Sequence, residues 1–260
     1  IYFGILKAGC IAVPLNFRYA SDEISYCLDL ADVEVLVFGP EFVSRLDPIQ
    51  ENLTRVKIRL FVGRNVPGYA EDCRRLMGFC SSSVPPIALS EDDDAAIYFS
   101  SGTTGFPKGV MLTHYNVVND GKCIGDRMDL STADRMMIQV PMFHCFGMVL
   151  AMTASMTHGA TLAPIPYFSP KASLACINAE RITAFHGVPT MFIAMLEHPD
   201  FQKTDFSYMR TGIMAGSPCP ISVMQDVVNK MHMSEITIVY GQTESSPGCT
   251  MSSTDDPLEV

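Results

Sequence analysis

The segment Tyr98-Phe-Ser-Ser-Gly-Thr-Thr-Gly-Phe-Pro-Lys-Gly109 decides how the rest of this chain is read. An apolar run at 95–100 leads into it and reads as a strand, after an acidic stretch at 91–94. Ser100, Ser101, Thr103 and Thr104 supply hydroxyl donors, and Lys108 supplies a point cation. Gly102, Gly105 and Gly109 permit backbone geometry that other residues resist. A loop of hydroxyls, exposed amides and one lysine suits a polyphosphate. It is not the G-x-x-x-x-G-K-[ST] loop: counted from Gly102, Pro107 takes the second glycine's place, and Gly109 follows the lysine instead of Ser or Thr.

Outward from this loop, short apolar runs alternate with helical patterns. Ile24, Cys27, Leu28 and Ala31 stand at i, i+3, i+4 and i+7, one helical stripe. Asp22 and Glu23 fall in its first turn, where the helix dipole favours anions. The runs 33–38 and 55–62 predict strands, and 64–86, mixing Gly, Pro, Ser and charge, predicts a loop-rich excursion. Beyond the loop, 136–140, 161–165, 183–188, 209–214 and 236–240 predict strands, and 147–157, 170–181, 189–197 and 220–232 predict helices. Gly159 is a stop signal, and Ser169-Pro170 reads as a cap followed by a first-turn proline. Such alternation implies right-handed crossovers and mostly parallel sheet, with the ligand at the carboxyl ends of the strands. The expected fold class is α/β: two packed lobes of largely parallel sheet flanked by helices. A polar break near 125–133 divides them into lobes 1–128 and 129–260.

Composition narrows the function. Of 260 residues, 48% are apolar and 18% charged, which excludes a wholly disordered chain, a coiled coil and a collagen-like repeat. The net charge is −10 and neither half carries a basic excess, which argues against nucleic acid as a partner. The nine cysteines include no C-x-x-C pair, so a reducing compartment is expected: the cytoplasm, with the mitochondrial matrix also compatible. No Asp, Glu, Lys or Arg lies between Arg135 and Lys171. Pro141, His144, His158, Gly159, Pro164 and Pro166 interrupt that stretch, and its longest apolar run falls short of the ~20 residues of a membrane span. No transmembrane segment is expected; the stretch reads as a buried strand–helix–strand. Ile1 is not an initiator methionine and opens an apolar segment, so a missing start is expected.

The loop resembles the phosphate-loop signature of the adenylate-forming, AMP-binding enzymes, which include acyl-CoA synthetases, peptide-synthetase adenylation domains and luciferases. Further resemblances follow in the family's order. Gly9-Cys-Ile-Ala-Val-Pro-Leu-Asn16 is similar to an early core motif, and Pro141-Met-Phe-His144 with Gly147 to the aromatic/His motif beside the acyl pocket. Gly187-Val-Pro-Thr-Met-Phe192 resembles the next strand–turn. Ala215-Gly-Ser-Pro218 resembles the adenine-side loop, and Tyr240-Gly-Gln-Thr-Glu244 the Y-G-x-T-E motif. The wording around Phe143–Gly147 and Pro218–Pro220 is most similar to medium-chain fatty acyl-CoA synthetases.

The resemblance implies activation of a carboxylate by ATP to an acyl-adenylate, then transfer of the acyl group to CoA. It implies that Ser100, Ser101, Gly102, Thr103, Thr104, Gly105 and Lys108 hold the β- and γ-phosphates. Ala215, Gly216, Ser217, Tyr240, Gly241 and Gln242 would surround the adenine, with Tyr240 stacked on it. Thr243 would donate to the α-phosphate, Glu244 would ligate Mg2+, and His144 would gate the acyl tunnel or polarise the carboxylate. The nucleotide is expected in the crevice between the lobes. The methionines read as core filler, although 136, 137, 142, 148, 152 and 156 could line an adaptable acyl pocket. The family's ribose-binding T-G-D and its C-terminal lysine are absent, so this chain reads as a fragment, inactive alone. A homodimer is left open. Two alternatives stand beside the ligase: an amino-acid adenylation domain, which the acid-free Cys145–Leu150 segment argues against, and a non-catalytic nucleotide-binding remnant.

Overall fold

The stripe Ile24, Cys27 and Leu28 is buried along the helix its spacing predicts. The computed structural model describes residues 1–100, 105 and 107–258. Contacts divide the chain into two units, Ile1–Thr113 and His114–Val260, whereas the sequence division at 128/129 counts residues 114–128 with the first.

The first unit runs α1 (Tyr2–Lys7), α2 (Ser21–Leu30), β1 (Val35–Phe38), α3 (Val43–Leu46), β2 (Ile58–Phe61), β3 (Glu71–Asp72), α4 (Cys73–Met77), β4 (Asp94–Ser100) and β5 (Lys108–Thr113). β1, β2 and β3 form a parallel sheet. Ile24, Leu28, Leu36, Phe38, Leu46 and Phe61 share its core; burying such side chains stabilises by about 1.5–3 kcal/mol each. The predicted loop at 64–86 holds β3 and α4 instead. Asp72 caps α4 by accepting from the amides of Arg74 (2.9 Å) and Arg75 (3.3 Å). A five-residue helix is too short to show a period, so only its cap was readable.

β4 and β5 pair antiparallel, with Ser100 opposite Lys108. β5 was not predicted. Its neighbours differ in burial, with Leu112 buried and Met111 62% exposed, as in a half-buried hairpin strand, but the consecutive apolar residues Val110-Met111-Leu112 show no alternation in the sequence.

The second unit runs α5 (His114–Arg127), β6 (Arg135–Ile138), a π-helical stretch Phe146–Thr153 that continues into α6 (Ala154–Thr157), β7 (Thr161–Pro164), α7 (Pro170–Glu180), β8 (Ala184–Phe185), α8 (Pro189–Leu196), β9 (Thr211–Ala215), α9 (Ile221–Met231), β10 (Glu235–Gly241) and β11 (Gly248–Met251). The strand order is β11-β10-β9-β8-β6-β7. All neighbours are parallel except β10 and β11. The expected α/β class with mostly parallel sheet is therefore observed. Phe185, Phe192, Met137, Met214, Met231 and Ile236 join in its core, against α7, α8 and α9. Met136, Met137, Met148 and Met152 are buried, while Met142 and Met156 are exposed. Ser169 takes the cap position of α7, but its side chain makes no capping bond; its carbonyl accepts from Ser173 (2.9 Å). β8 is shorter than predicted: past Phe185 the pairing continues only as an isolated bridge between Gly187 and Met214, and α8 opens at Pro189 as expected. No described helix is long and apolar enough to cross a membrane.

From β7 outward the order is β7-β6-β8-β9-β10, so the chain reverses direction between β6 and β8. In open parallel sheets ligands bind at the carboxyl ends beside such a reversal. Three of the quoted motifs follow the carboxyl ends of β6, β8 and β9, and a fourth ends β10.

Candidate functional site

In the first unit, Ser100 ends β4 and Lys108 begins β5, so their register pairing closes the base of the phosphate-loop segment. Lys108 and Gly105 are exposed. Ser101, Gly102, Thr103 and Thr104 lie outside the described residues. A surface cleft of this unit, lined by Asp22, Tyr26, Asn52 and Arg55 among others, contains none of the motif residues.

In the second unit, parallel pairing sets Val239 of β10 beside Ala215 of β9. The segments Ala215–Ser217 and Tyr240–Glu244 therefore leave neighbouring strands at the same end. Gly216 has φ +86°, in the left-handed region that favours glycine, and a Cβ there would lie 3.0 Å from Val188. Gly241 is required by proximity: a Cβ would lie 2.0 Å from the Pro247 carbonyl oxygen. Tyr240 is 69% exposed, so it is not a core aromatic and its ring is free to meet a planar ligand.

Thr243 is buried and Glu244 exposed in a single helical turn after β10. The thiol of Cys145 donates to Thr243 Oγ1 at 3.7 Å. Burial pushes that thiol up to about 11, which keeps it a protonated donor at neutral pH. The Thr243 hydroxyl thus receives a hydrogen and keeps its own for an acceptor. Nothing in the sequence distinguished Cys145 except its place beside His144.

His144 lies beyond the carboxyl end of β6, in a tight turn where its amide donates to the Pro141 carbonyl (3.2 Å) and its carbonyl accepts from Gly147 (3.0 Å). Its Nδ1 accepts from the Phe146 amide at 3.1 Å. The residue is exposed, yet the surrounding protein lowers its pKa by desolvation. A neutral ring with Nδ1 as acceptor carries its proton on Nε2 and can donate from there.

The sequence reading also passed over His186. It is fully buried, and desolvation pushes it down to about 4. Its Nε2 donates to the Leu150 carbonyl (3.0 Å) and its Nδ1 accepts from the Ile213 amide (3.1 Å). Its ring stacks on Phe146 at 5.8 Å. It ties the π-helical stretch to β9, which places the two motif segments relative to each other. Stretches of this kind recur at functional sites because the wider turn re-aims side chains.

Among the described residues no group of three His, Cys, Asp or Glu could hold a metal by itself. Glu244 offers one hard oxygen donor. That donor set suits Mg2+ shared with phosphate oxygens, which needs only one or two protein carboxylates.

The arrangement, a loop with Gly216 in the left-handed region next to a Y-G-x-T-E turn at the carboxyl ends of a parallel sheet, has the form of a nucleotide-handling α/β protein. The chain belongs to the AMP-binding enzyme family, whose model matches residues 1–260. It is 43% identical over 288 residues to the mitochondrial medium-chain acyl-CoA ligase ACSF2 of Rattus norvegicus, covering 100% of this chain and 47% of that protein. It is 36% identical over 276 residues to the acyl-CoA ligase sidI of Aspergillus fumigatus, again covering 100% and 47%. The crystal structure of the anthranilate CoA ligase AuaEII in complex with anthranoyl-AMP superposes with TM-score 0.93 at 23% identity, over 98% of this chain and 50% of that one. The chain thus spans about half the length of these relatives.

Proposed function

We propose that the intact protein containing this chain is an AMP-forming carboxylate–CoA ligase acting on a medium-chain fatty acid. A carboxylate oxygen attacks the α-phosphorus of ATP, pyrophosphate leaves, and an acyl-adenylate forms. The CoA sulfur then attacks the acyl carbonyl, its proton is lost, and AMP leaves. The observation that carries the reading is the placement of Ala215–Ser217 and Tyr240–Glu244 on neighbouring carboxyl ends of one parallel sheet. Family membership and the acyl-CoA ligase relatives support it.

In this reading Ser100, Ser101, Gly102, Thr103, Thr104, Gly105 and Lys108 hold the β- and γ-phosphates and the departing pyrophosphate. Gly216 and Gly241 bring bare backbone to the adenine, and Ala215, Ser217, Tyr240 and Gln242 complete its surroundings. Thr243 donates its free hydroxyl hydrogen to an α-phosphate oxygen. His144 presents Nε2–H toward the acyl carboxylate. Glu244 would hold Mg2+, whose charge neutralises phosphate oxygens when it is bound. Positioning and charge neutralisation dominate such transfers, and losing one preorganised donor costs roughly 3–4 kcal/mol in the barrier. The nine free cysteines fit a reducing compartment, cytoplasm or mitochondrial matrix.

Pyrophosphate release by the intact protein, measured with ATP, Mg2+ and straight-chain acids of increasing length, tests the reading. Each methylene buried is worth ~0.8 kcal/mol, roughly fourfold in kcat/KM, until the pocket is full. The expected profile rises from short to medium chains and levels, and added CoA yields thioester. Amino-acid-dependent release with no response to fatty acids would replace the ligase by an amino-acid adenylation domain.

A further inference from the structure

The turn that carries Thr243 and Glu244 is anchored from a helix that no motif touches. The pairing of β10 with β11 shifts register between Tyr240 and Gly241 and ends with Gly241 opposite Gly248, the pair that flanks the turn. Within it, the Gln242 amide donates to Pro247 (3.0 Å), Ser245 to Gln242 (2.9 Å) and Ser246 to Thr243 (3.2 Å). Those bonds set the turn's shape, and the Gly241–Gly248 pair joins it to the sheet. Side chains from outside the sheet then hold it at two ends. At the entry stands the Cys145 thiol on Thr243. At the exit the Gly248 amide donates to Asp120 Oδ2 at 3.1 Å, across 128 residues, from the middle of α5. Gly248 lets the carboxylate come this near: a Cβ there would lie 2.9 Å from Asp120 Oδ1.

We infer that Asp120 is a positioning residue for adenylation: by gripping Gly248 it sets where Thr243 and Glu244 stand beyond β10. The inference rests on the ligase reading above. A carboxylate makes a stronger and shorter bond to an amide than a neutral oxygen does. The half-buried carboxylate is also not the stabilising choice at this position. Desolvation pushes it up to about 6, with the Gly248 amide only partly opposing that rise. A neutral side chain would be cheaper to bury, and stability given up in this way is characteristic of positions that serve a site.

The test uses the intact protein and the variants D120A and D120N. Pyrophosphate release is measured against MgATP and against fatty acid separately, with melting temperatures alongside. D120A removes the acceptor; it should lower kcat tenfold or more and raise KM for MgATP, with KM for the fatty acid unchanged. D120N keeps an acceptor oxygen and should recover most of that loss, while melting no lower than wild type. Hydrogen exchange over 242–249 should quicken in D120A and not in the rest of the sheet. A D120A enzyme within twofold of wild type in kcat and in KM for MgATP overturns the inference, as does a loss that only follows melting temperature and spreads equally over both substrates. Wild-type protein that releases no pyrophosphate with any carboxylate overturns the ligase reading instead, and the exchange measurement still decides whether Asp120 holds the turn.

Discussion

Replacing Asp120 by Asn should stabilise the fold, and by an amount that depends on pH. Desolvation raises this carboxyl from the ordinary 3.8 to about 6. The unfolded chain releases the proton near 3.8 and the folded chain only near 6. Stability contributed by the protonated form is therefore complete below about 4 and is lost as pH rises through 6. A shift of this size corresponds to about 3 kcal/mol at 1.36 kcal/mol per unit. Asp120 is only half-buried, and solvent screening reduces the expected gain to roughly 1–2 kcal/mol. Asn keeps the acceptor for Gly248 and carries no charge to desolvate. Urea unfolding of wild type and D120N should give nearly equal stabilities at pH 4. The gap should open through pH 6 and reach its full size by pH 7.5, with D120N the more stable. A melting-temperature gain of a few degrees is the thermal counterpart. A gap that does not change with pH, or a D120N protein less stable at pH 7.5, would refute the reasoning.

Other outcomes follow from the same geometry. Glu244→Gln keeps shape and removes the charge proposed to hold Mg2+, so pyrophosphate release should fall at least tenfold and most at limiting Mg2+; near-normal release there would remove Glu244 from that role. Gly241→Ala places a Cβ 2.0 Å from the Pro247 carbonyl, so the turn must shift, at a cost of about 1–3 kcal/mol, and adenylation should fall with it; retained activity and melting temperature would show that the turn tolerates the displacement. Cys145, buried and with its thiol pushed up to about 11, should stay unlabelled by iodoacetamide at pH 8 in the folded protein while exposed Cys10, Cys80, Cys123 and Cys249 react, as mass spectrometry would read. Residues 1–260, about half the length of their relatives, should form no acyl-CoA when expressed alone; turnover near 1 per second would show the catalytic unit to be smaller than proposed.

The α/β class, the order of most elements and the motif residues were legible in the sequence, because each is written in local pattern. The stripe Ile24–Cys27–Leu28, the runs that became β9 and β10, and the prolines opening α7 and α8 depend on neighbours a few positions away. β5 escaped because Val110-Met111-Leu112 shows no alternation, and its strand character comes from pairing with β4. The π-helical character of Phe146–Thr153 escaped as well, since its apolar run has no period that separates a wide turn from an α-helix. The strand order, with its reversal between β6 and β8, was decided only by tertiary structure, because it depends on which sheet edge each crossover reaches. So was the partnership of Asp120 with Gly248 and of Cys145 with Thr243. The members of these pairs stand 128 and 98 positions apart, and no spacing along a chain records which distant groups folding will bring within a hydrogen bond's reach. The sequence determined which groups are available for the proposed chemistry, because their identity is covalent. Their aim was set by packing, because it depends on helices and strands that meet only once the core has formed.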